Sequence, residues 1–188
     1  MMGHVERPRH WANHILRARD QQLRSGGFTE FVPLPFVPME APMFIKGLAR
    51  RGPTFGEALL VHAVARLALH PLITNIQVSW VKIGPEGVRQ ALAAGVNDLG
   101  GTLMNESISR AAGSEWGQEL PPEQMEELIR SAGRVPRQRT TTYGTPPAGQ
   151  VARSFGAPSL CEPLNPPIRD AGLKRPVRLV RPGLVTTS

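Results

Sequence analysis

The chain has 188 residues, a formal net charge of +7, 19 glycines, 19 prolines and one cysteine. That is enough for one domain with a buried core, and no run approaches the roughly 20 apolar residues of a membrane helix. The opening MMGHVERPRHW lacks the apolar centre of a secretory signal. Cys161 stands by itself, which excludes a disulfide framework and a local cysteine cluster for zinc or iron–sulfur. The expectation is a soluble, cytoplasmic protein with no membrane partner.

The positive charge is unevenly spread. Residues 146–188 carry six Lys/Arg against two Asp/Glu, while residues 1–145 carry sixteen against thirteen. No basic stripe with interleaved aromatics appears, as a single-strand binder needs, so no nucleic-acid partner is expected.

In chain order, Gly3-His4-Val5-Glu6 reads as the end of a strand running into a loop. A chain opening there suggests a missing upstream portion. Pro8 suits a first helical position, and Trp11, Ile15 and Ala18 fall on one row, predicting an amphipathic helix over about 8–24. Gly26-Gly27 stops it. Phe28–Leu34 is a β-prone run in which Thr29 and Phe31 point one way and Glu30 and Val32 the other. Prolines 33, 35 and 38 then impose an extended loop.

Thr54 and Glu57 have capping-box spacing and open a helix to about His70, apolar nearly all round and so expected to be covered on more than one side. His62 within it has no partner spacing and reads as a packing residue. Asn75–Ile83 is the clearest strand, with Ile76, Val78 and Trp80 on one face and Gln77 and Ser79 on the other. A helix follows from Gly84-Pro85-Glu86, then a strand over Val96–Thr102. This βαβ spacing argues for an α/β fold with a parallel sheet or barrel.

Val96–Gly113, VNDLGGTLMNESISRAAG, holds two adjacent glycines among short polar residues. It reads either as a ligand loop or as a plain Gly turn into a capped helix. Pro121-Pro122 opens a further helix closed by Gly133, and Arg137–Tyr143 is a last β-prone run. Residues 146–188 hold eight of the 19 prolines without a sustained period and read as an irregular or disordered tail.

Three elements end in polar clusters: His4/Glu6, Gln77/Ser79/Lys82 and Asn97/Asp98/Thr102. In a parallel barrel such ends share the face where active sites assemble. Arg137 and Arg139 place two guanidinium forks on one face of an extended segment, or are simply solvated. No P-loop, GxSxG or HExxH is present, and the spacing names no metal site.

The ordered set GHVE, GGFTEFVPLPFVP, NIQVSWVKIGPEG, NDLGGTLMNESISRAAG and RQRTTTYG resembles the C-terminal half of a radical enzyme family. These are the radical S-adenosylmethionine enzymes that make the deazaflavin chromophore of coenzyme F(420), and the resemblance is to their CofH-type, tyrosine-using branch. It covers about residues 1–145. GHVE and GGFTxFxP are shared with futalosine-pathway menaquinone enzymes, whereas NDLGGTLMNESISRAAG and RTTTYG favour the deazaflavin branch.

The resemblance implies the C-terminal half of a partial TIM barrel over residues 1–145, followed by the tail of 146–188. It implies S-adenosyl-L-methionine and a 4Fe–4S cluster as cofactors of the intact enzyme. The substrates implied are L-tyrosine and 5-amino-6-(D-ribitylamino)uracil, joined through tyrosine's 4-hydroxybenzyl group. The cluster loop CxxxCxxC has no counterpart here, since Cys161 is alone in the tail. The missing N-terminal half is therefore an expected partner, and the chain by itself is expected to be inactive. By resemblance, Glu6 and more weakly His4 would contact S-adenosylmethionine or substrate. Gln77, Ser79, Asn97, Asp98, Thr102 and Glu106 would line the substrate side, with Arg139 and Thr140 closing it. The alternatives are the futalosine branch, or a clusterless binding or assembly module.

Overall fold

The structure is a computed structural model that describes residues 1–103, 106–117 and 119–158. Cys161 and the rest of the expected tail from residue 159 lie outside the described residues. Seven helices dominate the described residues: α1 (Pro8–Ser25), α2 (Pro42–Ile45), α3 (Phe55–Leu69), α4 (Trp80–Ala93), α5 (Ile108–Ala111), α6 (Pro122–Ser131) and α7 (Ala148–Phe155). Strand content is small. Extended segments meet in three parallel bridges, Met2 with Pro35, Phe31 with Ile76, and Gln77 with Asp98.

These bridges join segments that are neighbours in the chain, with a helix between each pair. The Met2 N–H donates to the Leu34 carbonyl at 2.8 Å, and the Phe36 N–H donates back to Met2 O at 2.8 Å. Phe31 and Asn75, then Val78 and Asp98, repeat the pattern further along. A right-handed crossover through a helix is the ordinary way to connect parallel segments.

The helices pack in chain order, α1 on α3, α3 on α4, α4 on α6 and α6 on α7. Between the helix row and the bridged segments lies the core, built from Ile15, Val61, Leu69, Ile76, Val78, Val88, Leu92 and Leu128. Each such side chain removed from water contributes roughly 1.5–3 kcal/mol before entropy is counted.

The Thr54 capping box forms as its spacing predicts. The Glu57 N–H donates to Thr54 Oγ1 at 3.1 Å, and the Thr54 N–H donates to Glu57 Oε2 at 2.8 Å. Arg50 Nη1 adds an ion pair to Glu57 at 3.0 Å, so hydrogen bonding from Arg50 lowers the carboxyl pKa below its usual value. α3 departs from expectation on its outer side. Ala58, Val61, Ala65 and Leu69 are buried, but Leu60 and Leu67 are 62% and 81% exposed. One side alone packs on the core.

The expected strand over Asn75–Ile83 is shorter than its alternation suggests. Its bridges stop at Gln77, and Trp80 already begins α4. Ser79 stands at the helix N-cap, and the Lys82 N–H donates to its carbonyl at 3.1 Å. Gly84, at φ 70, breaks α4 before Pro85 restarts it. A Cβ there would meet the Trp116 ring at 2.3 Å, so the indole packs directly on the glycine backbone.

Two further expectations are corrected. Arg137–Tyr143 finds no bridge partner among the described residues. It ends in a turn with Tyr143 at φ 64, which a β-rich composition does not foretell. The stretch beyond residue 145 begins with α7, whose helix packs on α6. Irregular chain does not start at residue 146.

Candidate functional site

The face of the bridged segments turned away from the core is polar. Phe31 packs toward the core, so its neighbour Glu30 faces the opposite way. Ile76 and Val78 are fully buried in the core, which turns Gln77 to that same opposite side. Gln77 pairs with Asp98 across the next bridge, and all three line one groove of about 1180 Å³. Gly100, Thr102, Arg139 and Tyr143 also border it.

Asp98 is the centre of this groove, its side chain 4% exposed. Its Oδ1 accepts the Gly100 N–H at 2.6 Å. Its Oδ2 accepts Arg139 Nε at 2.5 Å and the Tyr143 hydroxyl at 2.5 Å. The same hydroxyl lies 2.7 Å from Glu30 Oε2, and Arg139 Nη2 is 3.6 Å from that oxygen. Two carboxylates and one guanidinium thus surround a single phenol. Burial, then hydrogen bonds to Asp98 and Glu30, push the Tyr143 pKa well above its usual value. Burial works against the Arg139 charge, but the Asp98 hydrogen bond and ion pair outweigh it and raise the guanidinium pKa. The phenol keeps its proton, which the Asp98 and Glu30 oxygens share, and the guanidinium keeps its charge.

Gly100 sits at φ 75, and a Cβ there would come within 2.6 Å of Gln77 Nε2. The missing side chain leaves room for the Gln77 carboxamide. Thr102 uses its backbone carbonyl to accept the Leu120 N–H at 2.9 Å.

Of the ten residues expected at the site, Gln77, Asn97, Asp98, Thr102 and Arg139 line the groove. Asn97 does so at the start of its segment, where Oδ1 accepts Arg66 Nη2 at 2.6 Å and the Ile76 N–H at 2.9 Å. Arg66 also reaches the Thr74 and Gly95 carbonyls, both at 2.7 Å, so Asn97 is tied into structure.

The other five lie elsewhere. Glu6 is occupied by its own loop, accepting the N–H groups of Gly3, His4 and Val5 and the Trp11 indole at 2.6 Å. Burial raises its pKa, yet these donors prevail and bring it down to about 2. His4 Nδ1 is 3.5 Å from Glu6 Oε2, and its ring meets Phe36 edge-on. Ser79 caps α4 by position. Glu106 accepts the Ser109 N–H at 2.9 Å at the start of α5. Thr140 closes the Thr140–Gly144 turn, its Oγ1 accepting the Gly144 N–H at 2.9 Å.

Sequence reasoning missed Glu30 and Tyr143. The alternation around Phe31 already placed Glu30 on the face opposite Phe31. Tyr143 gave no such signal, because a left-handed turn positions it.

A second cavity of about 320 Å³ lies between Phe36, Pro53, Thr54, Lys82 and Trp116 and contains none of the ten. Burial lowers the Lys82 pKa, opposed by Glu106, and Nζ donates to Ser109 Oγ at 2.9 Å.

Comparison with known proteins decides the family. The sequence model of the CofH/MqnC C-terminal region matches residues 25–151. The chain belongs to the CofH/MqnC C-terminal region family. It is 54% identical over 143 residues to the 5-amino-6-(D-ribitylamino)uracil–L-tyrosine 4-hydroxyphenyl transferase of Methanopyrus kandleri, covering 76% of this chain and 39% of that protein. It is 53% identical over 143 residues to the FO synthase of Mycobacterium leprae, covering 76% of this chain and 17% of the relative. FO synthase of Streptomyces coelicolor is 51% identical over 147 residues, covering 78% and 17%. The chain therefore spans well under half the length of these curated relatives.

An iron–sulfur cluster of the radical type needs cysteine thiolates. The sequence supplies Cys161 alone, and the described residues contain no group of three His, Cys, Asp or Glu arranged around a metal. The residues of this chain do not fit the cluster. No helix among the described residues is long and apolar enough to cross a membrane.

Proposed function

We propose that this chain is the substrate-side, C-terminal portion of a CofH-type FO synthase acting in the cytoplasm. The whole enzyme would join the 4-hydroxybenzyl group of L-tyrosine to 5-amino-6-(D-ribitylamino)uracil in coenzyme F(420) biosynthesis. The observation that carries this reading is one polar row, Glu30, Gln77 and Asp98, facing a single groove inside the region matched by such transferases.

In this reading residues 1–145 are part of a radical S-adenosylmethionine barrel, and 146–188 are appended to it, starting with α7. Parallel bridges in chain order, with helices packed in the same order on one side, support a barrel segment. S-adenosylmethionine and the 4Fe–4S cluster would be held by a complementary portion and would supply the radical. This chain's own groove residues would bind and orient substrate. The Asp98–Arg139–Tyr143 cluster fixes one wall of the groove, and the turn at Thr140–Gly144 borders it.

The test is anaerobic iron–sulfur reconstitution of the chain alone and co-expressed with the cluster-bearing portion of a homologous transferase. FO formation from tyrosine and ribitylaminouracil is the readout. Product with the complement and none without it is the expected result. Product from the chain alone would overturn the assignment of the cluster to a complementary portion. The lack of cluster ligands also favours a clusterless binding module, which would bind ribitylaminouracil yet give no product with any complement.

A further inference from the structure

We propose that Glu30 and Gln77 form the recognition edge for the amino-pyrimidinedione ring of the acceptor substrate, an inference that rests on the transferase reading above. Both side chains face the groove from neighbouring bridged segments. Glu30 gives Oε2 to the Tyr143 hydroxyl, while its Oε1 takes no hydrogen bond among the described residues. The Gln77 carboxamide likewise has no hydrogen-bond partner among the described residues, although it lies against Gly100. Polar groups lining a groove and left open in this way are ready for a ligand.

The open atoms define what fits. Glu30 Oε1 and Gln77 Oε1 accept, and Gln77 Nε2 donates. A planar ring whose N–H groups flank a carbonyl answers all three, and the uracil ring carrying amino substituents is such a ring. The surroundings decide against the other substrate. Asp98 and Glu30 bring two carboxylates to this wall, and the facing cation, Arg139, is already held by Asp98 Oδ2. The carboxylate of free tyrosine would sit against that negative excess. Its ammonium could pair with Glu30 only by bringing that carboxylate, one carbon away, against the same wall. The fixed positions of Asp98, Arg139 and Tyr143 hold Glu30 in place from behind.

The experiment is calorimetric titration of the full chain with three probes: 5-amino-6-(D-ribitylamino)uracil, 5,6-diaminouracil (which lacks the polyol) and L-tyrosine. Wild type is compared with Glu30→Gln and Gln77→Met, and circular dichroism establishes that each variant is folded. The expected result is at least tenfold weaker binding of both uracils in each variant, with tyrosine unchanged. Q77M tests the proposal even where E30Q fails to fold. Loss confined to ribitylaminouracil, with diaminouracil unaffected, would assign the pair to the polyol and overturn the proposal. So would weakened tyrosine binding, or variants that bind the uracils like wild type. If the wild-type chain binds none of the probes, the transferase reading of the groove fails along with it, an outcome distinct from an unaffected variant.

Discussion

The Arg139 guanidinium lies over the Tyr143 ring, 4.1 Å from its centroid, and the two side chains converge on the same Asp98 oxygen. Four residues apart on one turn, they close like a clasp on a segment some forty residues earlier in the chain. A stacked cation and a shared acceptor reinforce each other, because each fixes the plane the other needs.

Tyr143→Phe keeps the stack and removes the hydroxyl that serves Asp98 and Glu30. The expected loss is about 1–2 kcal/mol of stability, read as a fall of roughly 2–8 °C in thermal denaturation. Asp98→Ala strands the half-buried Arg139 and leaves the Gly100 N–H without its acceptor, and should cost more, about 2–4 kcal/mol. Equal stability of Y143F and wild type would mean that the clasp does not hold the turn.

Glu6 makes stability depend on acid. Its folded pKa of about 2 lies below the ordinary value of 4.5. Its contribution is therefore complete above pH 4.5 and is lost as pH falls toward 2. Allowing for its contact with solvent, that contribution is on the order of 1–2 kcal/mol. Glu6→Gln should lower the melting temperature at pH 7 and flatten its decline between pH 5 and 3. A slope as steep as wild type would remove Glu6 from the account.

Thr54→Ala removes the acceptor for the Glu57 N–H at the start of α3. A loss of about 1 kcal/mol is expected, measured by urea denaturation with an unchanged m-value.

Gly84→Ala combines a positive φ with a Cβ pressed into the Trp116 ring. The expected cost is about 2 kcal/mol or more, with a change in tryptophan fluorescence as the indole is displaced. Unchanged emission at wild-type stability would contradict the packing described.

Much of this architecture was legible where one local rule governs. The Thr54–Glu57 spacing specified a helix start that the structure reproduces atom by atom. Alternation at Ile76, Gln77 and Val78 gave the faces correctly, because one side had to enter the core. The same alternation overran its segment at Trp80, since a helix beginning with Trp-Val-Lys-Ile also turns apolar residues inward. Glu6 looked like a ligand contact because its sequence neighbourhood matched a known motif. Periodicity cannot reveal that three N–H groups and an indole already occupy its carboxylate. Tyr143 was invisible for a related reason, as its place depends on a left-handed turn and on partners more than forty residues away.

The bridged segments touch through single rungs, while the main helix contacts run only between successive long helices. Such a molecule resembles a row of leaning books more than a woven cloth. Each helix–segment unit can settle on the one made just before it, so order can grow unit by unit along the chain. The clasp of Arg139 and Tyr143 on Asp98 is then among the last contacts completed. The groove it borders takes its finished shape only after the units beneath it are in place.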